Sequence, residues 1–333
     1  MKKIKTAIVD LNCPIGHVNL INFYVKNLKK NTSLLVLNKS IKKILKYNAA
    51  LYLNYNVNFL KKIYTFFNLY NLLINNKINQ VIFLSYDPIY FLFFTKILIK
   101  KKIKIYLIEH DTLNKKKYIK FICNKFIDKR TVRLVYNHEK KVFVVKNFKT
   151  RVYIIDHPLL KDTRFVKKIY SNEYKKFKKT IVNNKYIKIL VPTRYYIDQK
   201  SFYLFIKNFS EKTYFIAFSK RIKIQIDNLF VLKNLKSNMI KYMDYIYLPN
   251  NNKVYDTRIS SWVYTAIAYN KKVILEKSIS SNYEKKRFPN FIIEAKKFKL
   301  KKPKKMHILM HRRFIFKYNS NTIIRLKKII FKT

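Results

Sequence analysis

Short, nearly unbroken apolar runs alternate with longer amphipathic stretches along most of the chain, and that alternation restricts the folds open to it. In the first half the runs are KTAIVDL (5–11), SLLVLN (33–38), QVIFLSY (80–86), KIKIYLIE (102–109), VRLVYN (132–137) and RVYIID (151–156). Strands this apolar are buried on both faces, which requires a parallel sheet with helices on each side. The intervening pattern predicts helices near 17–30, 57–77, 88–101 and 114–127. Past DHPLL it lapses into a charged stretch, KDTRFVKKIYSNEYKKFKKTIVNNK, then resumes with YIKILVP (186–192), TYFIAF (213–218), LFVLKN (229–234), YIYLPN (245–250) and KVILEK (272–277). Helices are predicted near 198–209, 237–243 and 258–270. A chain of 333 residues is long enough for two cores. The expectation is an α/β chain of two Rossmann-like doubly wound domains facing a central cleft: 1–158, a linker over 159–185, and 186–333 ending in a helical tail.

The formal net charge of +56 would suit a nucleic-acid binder. The charge is mostly Lys, however, and comes with abundant Asn, Ile, Tyr and Phe and a single glycine. That profile reads as an A- and T-rich coding bias expressed on solvated faces, because runs such as NLKK and ILIKKK sit at the polar ends of apolar segments. No specific nucleic-acid partner is expected, while an anionic membrane surface would be attracted. Cys13 and Cys123 offer neither metal spacing nor a disulfide framework, which points to a reducing compartment and no metal. The apolar run before Asp10 is too short for a signal-peptide core, and VIFLSYDPIYFLFFTKILIKKK is broken by Asp87, Pro88 and Lys96. The expected location is cytoplasmic, with the inner membrane face as a resting surface. Asp87 before Pro88 reads as a strand exit and helix start, and Pro158 as a hinge.

Ligands of doubly wound sheets bind beyond the carboxyl ends of the strands, so a site is sought in the strand-to-helix loops. One such region, YDTRISSWVYTAIAYNKKVIL (255–275), resembles the donor-binding loop and helix of GT-B glycosyltransferases. Ala266, Ala268, Val273 and Ile274 match the pattern EAMAxGxPVI, with Asn270 in place of the glycine and Lys272 in place of the proline. VPTRYYIDQK resembles the loop that opens the family's second domain, with Arg194 and Lys200 as its basic pair one residue further apart than usual. The resemblance implies that these cations hold a nucleotide diphosphate and offset charge on the leaving group.

The acidic pair of the family 4 members is missing, since Thr257 and Thr265 stand at its positions. Arg258, Ser260 and Ser261 at the helix start instead resemble the phosphate-contacting segment of bacterial sialyltransferases and glycerophosphate transferases. Either serine also serves as a simple N-cap. In the first domain the resemblance places Gly16 and His17 where the first turn approaches the acceptor. Gly16 would allow a close backbone approach, and His17 would act as general base. Asp111 is a second candidate base, and His110 would hold a sugar hydroxyl. The resemblance therefore implies a hexosyltransferase-like enzyme that uses a nucleotide-sugar co-substrate, no other cofactor, and a surface glycan or lipid-linked acceptor. A nucleotide-sugar or glycan-binding protein that has lost its chemistry is the alternative, favoured by the missing carboxylates.

Overall fold

With no polar face to offer solvent, the apolar runs pair with one another, and in the computed structural model they form two parallel sheets. The structure describes residues 4–12, 17–45, 47, 50–55, 59–109, 118–161, 186–192, 199–209, 213–217, 229–231, 237–249, 261–276 and 279–331. The chain divides into two compact units, Met1–Pro158 with Ser320–Thr333, and Leu159–Asn319.

The first unit holds β1 (Thr6–Asp10), β2 (Thr32–Asn38), β3 (Ala50–Leu53), β4 (Gln80–Ser85), β5 (Lys104–Ile108), β6 (Val132–Val135) and β7 (Arg151–Ile154). Their order is β3-β2-β1-β4-β5-β6-β7, parallel throughout. Alternate residues such as Val9, Val36, Phe83 and Leu107 pack against Phe66 and Leu69 of the Phe59–Asn75 helix and Phe91 and Phe94 of the Pro88–Lys100 helix. Ile8, Ile82 and Tyr106, of opposite parity, are just as buried. The Tyr106 hydroxyl donates to the Ile330 carbonyl at 3.2 Å, near the end of the Ile308–Phe331 helix.

The second unit holds β8 (Ile187–Val191), β9 (Thr213–Ala217), β10 (Leu229–Val231), β11 (Tyr245–Leu248), β12 (Lys272–Leu275) and β13 (Ile292–Glu294). The order is β10-β9-β8-β11-β12-β13, again parallel. Leu190, Ile246 and Val273 face Ile240, Tyr264 and Ile267 on one side of this sheet. Ile189, Tyr247 and Ile274 face Phe202, Phe205 and Phe298 on the other. Two Rossmann-like domains result, as the alternation predicts.

Helix boundaries follow local chemistry. Asp87 caps the Pro88–Lys100 helix by accepting from the Ile89 N–H at 3.3 Å, with Pro88 in the first turn. At the other ends, where glycine would ordinarily supply a left-handed residue, Lys77, Lys102, Lys149 and Asn270 take φ values of 53°, 58°, 50° and 57°. The differences from the sequence pattern have physical reasons. β3 and β13 are short edge strands that pair on one side only, so tertiary pairing rather than their own pattern defines them. The His138–Phe148 helix carries an apolar run, VFVV, rich in β-branched valine, that obscures its period, yet Asn137 caps it through the Lys140 N–H at 2.8 Å. The helix expected over 237–243 is a 3-10 turn, Ser237–Tyr242.

Candidate functional site

A doubly wound sheet opens a crevice where its strand order reverses, because the connections on either side leave toward opposite faces. The reversal lies between β1 and β4 in the first unit and between β8 and β11 in the second. The residues that end these strands and begin the following helices therefore define the candidate site of each unit.

In the first unit Asp10 ends β1 and Ser85 ends β4. Ser85 Oγ donates to Asp10 Oδ1 at 2.5 Å, spanning the reversal. His17 lies just before the Val18–Leu28 helix, and its carbonyl accepts from the Ile21 N–H at 2.7 Å. That helix start brings His17 Nδ1 to 3.0 Å from Asp10 Oδ2. The Asp10 side chain is fully buried and that of His17 is 12% exposed. The Asn12 N–H donates to Ser85 Oγ at 3.3 Å, and its side-chain amide donates to the Tyr86 carbonyl at 3.2 Å. A carboxylate beside Nδ1 favours the proton on that nitrogen, which makes Nε2 the basic one. A His–Asp pair with this geometry is one that chemistry can use as a base with its orienting acid.

Next along the sheet, Glu109 follows β5 and meets Arg133 of β6 in a pair from which solvent is excluded. Arg133 Nη1 lies 2.5 Å from Glu109 Oε1 and 3.0 Å from Asn124 Oδ1, and the Tyr86 hydroxyl donates to Glu109 at 2.6 Å. Burial alone would lower the guanidinium pKa, but Tyr86 and Glu109 outweigh it and hold Arg133 above its ordinary value. This network anchors the carboxyl end of β5.

In the second unit β8 and β11 are hydrogen-bonded neighbours. Lys200 is exposed in the first turn of the Gln199–Phe209 helix, and Ser261 is exposed at the start of the Ser261–Ala268 helix. Ala266, Ala268, Val273 and Ile274 are fully buried, so the matched pattern packs the helix onto its sheet. Asn270 adopts the left-handed conformation its place in the pattern demands. Gly16, His110, Asp111, Arg194, Arg258 and Ser260 lie outside the described residues. Sequence reasoning missed Asp10, Ser85 and Asn12, for which the available signal was an Asp closing an apolar strand seven positions before a His. It also missed Glu276, which follows β12 at the same carboxyl edge and accepts from the Tyr247 hydroxyl at 2.5 Å.

No family model matches the chain, and no curated protein matches it significantly in sequence. Solved structures do match. HepE of Anabaena, in complex with UDP, aligns over 98% of this chain and 96% of its own with a TM-score of 0.58 and 11% identity. WaaG, a glycosyltransferase involved in lipopolysaccharide biosynthesis, aligns over 99% of this chain and 100% of its own, with a TM-score of 0.56 and 9% identity. The UDP-GlcNAc 2-epimerase of Methanocaldococcus jannaschii aligns over 95% and 100%, with a TM-score of 0.53 and 11% identity. At such identities the likeness establishes the fold. The chain is a divergent protein of the GT-B fold.

Proposed function

We propose that the chain is a glycosyltransferase that moves a sugar from a nucleotide-sugar donor to a hydroxyl of a surface glycan or glycolipid. The observation that carries this reading is the Asp10–His17 pair at the sheet reversal of the first unit. His17 Nε2 takes the proton of the acceptor hydroxyl as its oxygen bonds to the anomeric carbon. The bond from that carbon to the donor phosphate breaks, and its electrons leave with the nucleotide diphosphate. Asp10 holds the imidazole in orientation and stabilises the imidazolium that forms. Arg194, Lys200 and Arg258, with Ser260 and Ser261, are proposed to offset the charge of the departing diphosphate. Gly16 is proposed to line the acceptor approach, His110 to hold a sugar hydroxyl, and Asp111 to be the alternative base. The UDP bound to HepE and the UDP-sugar named in the epimerase support a uridine nucleotide as the first donor to try. WaaG's role supports a glycolipid acceptor.

The test separates binding from chemistry. Arg194→Ala and Arg258→Ala should each weaken UDP binding by about 1.5–3 kcal/mol, the value of a charge-assisted hydrogen bond. Lys301→Ala with Lys302→Ala, which removes two charges distant in sequence, should change it little. His17→Ala should lower turnover by roughly 10²–10⁴-fold with UDP affinity retained, and Asp10→Asn should also slow it. Equal losses from the arginine and lysine variants would reduce the attraction to bulk charge. The epimerase likeness favours a second reading, epimerisation of a nucleotide sugar. Product analysis distinguishes the two, since transfer releases nucleoside diphosphate and epimerisation leaves the nucleotide sugar intact.

A further inference from the structure

Three helices of the first unit, Phe59–Asn75, Pro88–Lys100 and Tyr118–Phe126, pack side by side in that order. The first two already bury an apolar stripe: Phe66, Leu69 and Leu73 on one, Phe91, Phe94 and Leu98 on the other. Each nevertheless carries large apolar side chains that the core does not use. On the first helix Ile63, Tyr64 and Phe67, at helical spacing, are 47%, 67% and 60% exposed. On the second, Phe93 and Ile97, one turn apart, are 67% and 47% exposed. On the third, Tyr118, Ile119 and Phe126 are 70%, 68% and 59% exposed. Exposed lysines are interleaved with them, among them Lys61, Lys96, Lys100 and Lys125. The carboxylates of this region are engaged: Asp87 takes Lys120 at 2.9 Å, and Asp128 takes Arg130 at 2.8 Å.

We infer that this three-helix face docks onto an anionic lipid bilayer. Apolar side chains set among lysines match a surface whose headgroups are negative and whose boundary accepts apolar groups. A second copy of the chain fits poorly, because a net charge of +56 would set lysine against lysine. A single-stranded nucleic acid would stack on Tyr64, Phe67, Phe93, Tyr118 and Phe126 but gain nothing from Ile63, Ile97 and Ile119, whereas the apolar boundary of a bilayer accepts rings and aliphatic side chains alike. No described helix is long and apolar enough to cross a membrane, so the contact is one of lying on the surface.

The full chain is sedimented, without nucleotide, with vesicles of phosphatidylcholine alone and with vesicles containing about one-third phosphatidylglycerol. The expected result is binding to the anionic vesicles. A Phe67→Ser, Phe93→Ser, Ile119→Ser variant keeps every charge and alters no buried side chain. Its partition should fall about tenfold or more, because binding scales with the apolar area inserted. Phe316→Ser, at a residue 75% exposed on another helix, should bind as wild type. The inference is overturned if wild type ignores anionic vesicles, if the triple variant binds undiminished, or if Phe316→Ser loses as much. It is also overturned if sedimentation without lipid shows a dimer that the triple variant abolishes. Should the triple variant fail to fold, the three single variants give the same reading with smaller steps. Because no nucleotide is present, failure here leaves the donor-site proposal standing.

Discussion

Lys102 and Lys149 each hold a left-handed backbone conformation just past the end of a helix. A β-carbon there crowds the following carbonyl and costs about 1–2 kcal/mol, a penalty that glycine escapes. Lys102→Gly and Lys149→Gly should therefore each stabilise the first unit by about 1 kcal/mol, less a few tenths for the freer unfolded chain. Urea denaturation of the single variants measures this, and a loss of stability would show that the lysine side chains contribute more than the strain removes. Asn270→Gly should gain less, because Asn tolerates the conformation and its side-chain amide donates to the Met306 carbonyl at 2.7 Å. Asn270 was legible in the sequence for that reason. The lysines were not, since Lys carries no turn signal of its own. The same contrast holds in the candidate site. His17 stood out at a strand-to-helix turn, whereas Asp10 read only as the end of an apolar run until pairing of β1 with β4 placed Ser85 beside it.

At the scale of elements, Lys271 joins the Ser261–Ala268 helix to β12 and closes a helix end belonging to another segment. Its ammonium donates to the carbonyls of Lys241 at 2.8 Å and Met243 at 2.5 Å, at the end of the Ser237–Tyr242 turn. Such carbonyls lack partners within their own helix. Burial first, and the nearby Lys305 second, push the Lys271 pKa down to about 8 from 10.5. The unfolded chain then binds more protons than the folded one between those values, so stability rises with pH across that window. Below pH 8 both states are protonated and the penalty is felt in full. The rise should approach about 1.4 kcal/mol per pH unit, and Lys271→Met should flatten it. Thermal melts of both proteins between pH 7 and 10.5 check this, and an unchanged slope in the variant would assign the effect to other lysines. Elements with their own strong period, such as the Phe59–Asn75 helix, were readable from the sequence. The Ile279–Arg287 helix was not, because its composition, ISSNYEKKR, is polar almost throughout.

At the scale of the whole molecule, the alternation of runs disclosed two sheets but not that the chain returns to the first unit. The Ile308–Phe331 helix begins in the second unit and ends in the first. Its last turns bury Ile323, Leu326 and Ile330, and they supply the carbonyl that Tyr106 meets. Leu326→Ala should destabilise the first unit by about 2–5 kcal/mol, the cost of a buried leucine and its cavity. Calorimetry should show a lowered transition, and an unmoved one would mean that the helix end is dispensable. Lysine and isoleucine dominate these turns, IIRLKKIIF, a pattern that marks an amphipathic helix without saying what it packs against.

The same return of the chain governs the order in which the protein can be made. Residues Met1–Pro158 leave the ribosome before Leu159–Asn319, yet the segment from Ser320 that completes their unit follows only after the whole of Leu159–Asn319 has been synthesised. At ordinary elongation rates that delay is on the order of 10 s, long compared with the folding of a small domain. Throughout it the nascent chain presents the places of Leu326 and Ile330 unfilled, an opening for a chaperone that recognises apolar surface.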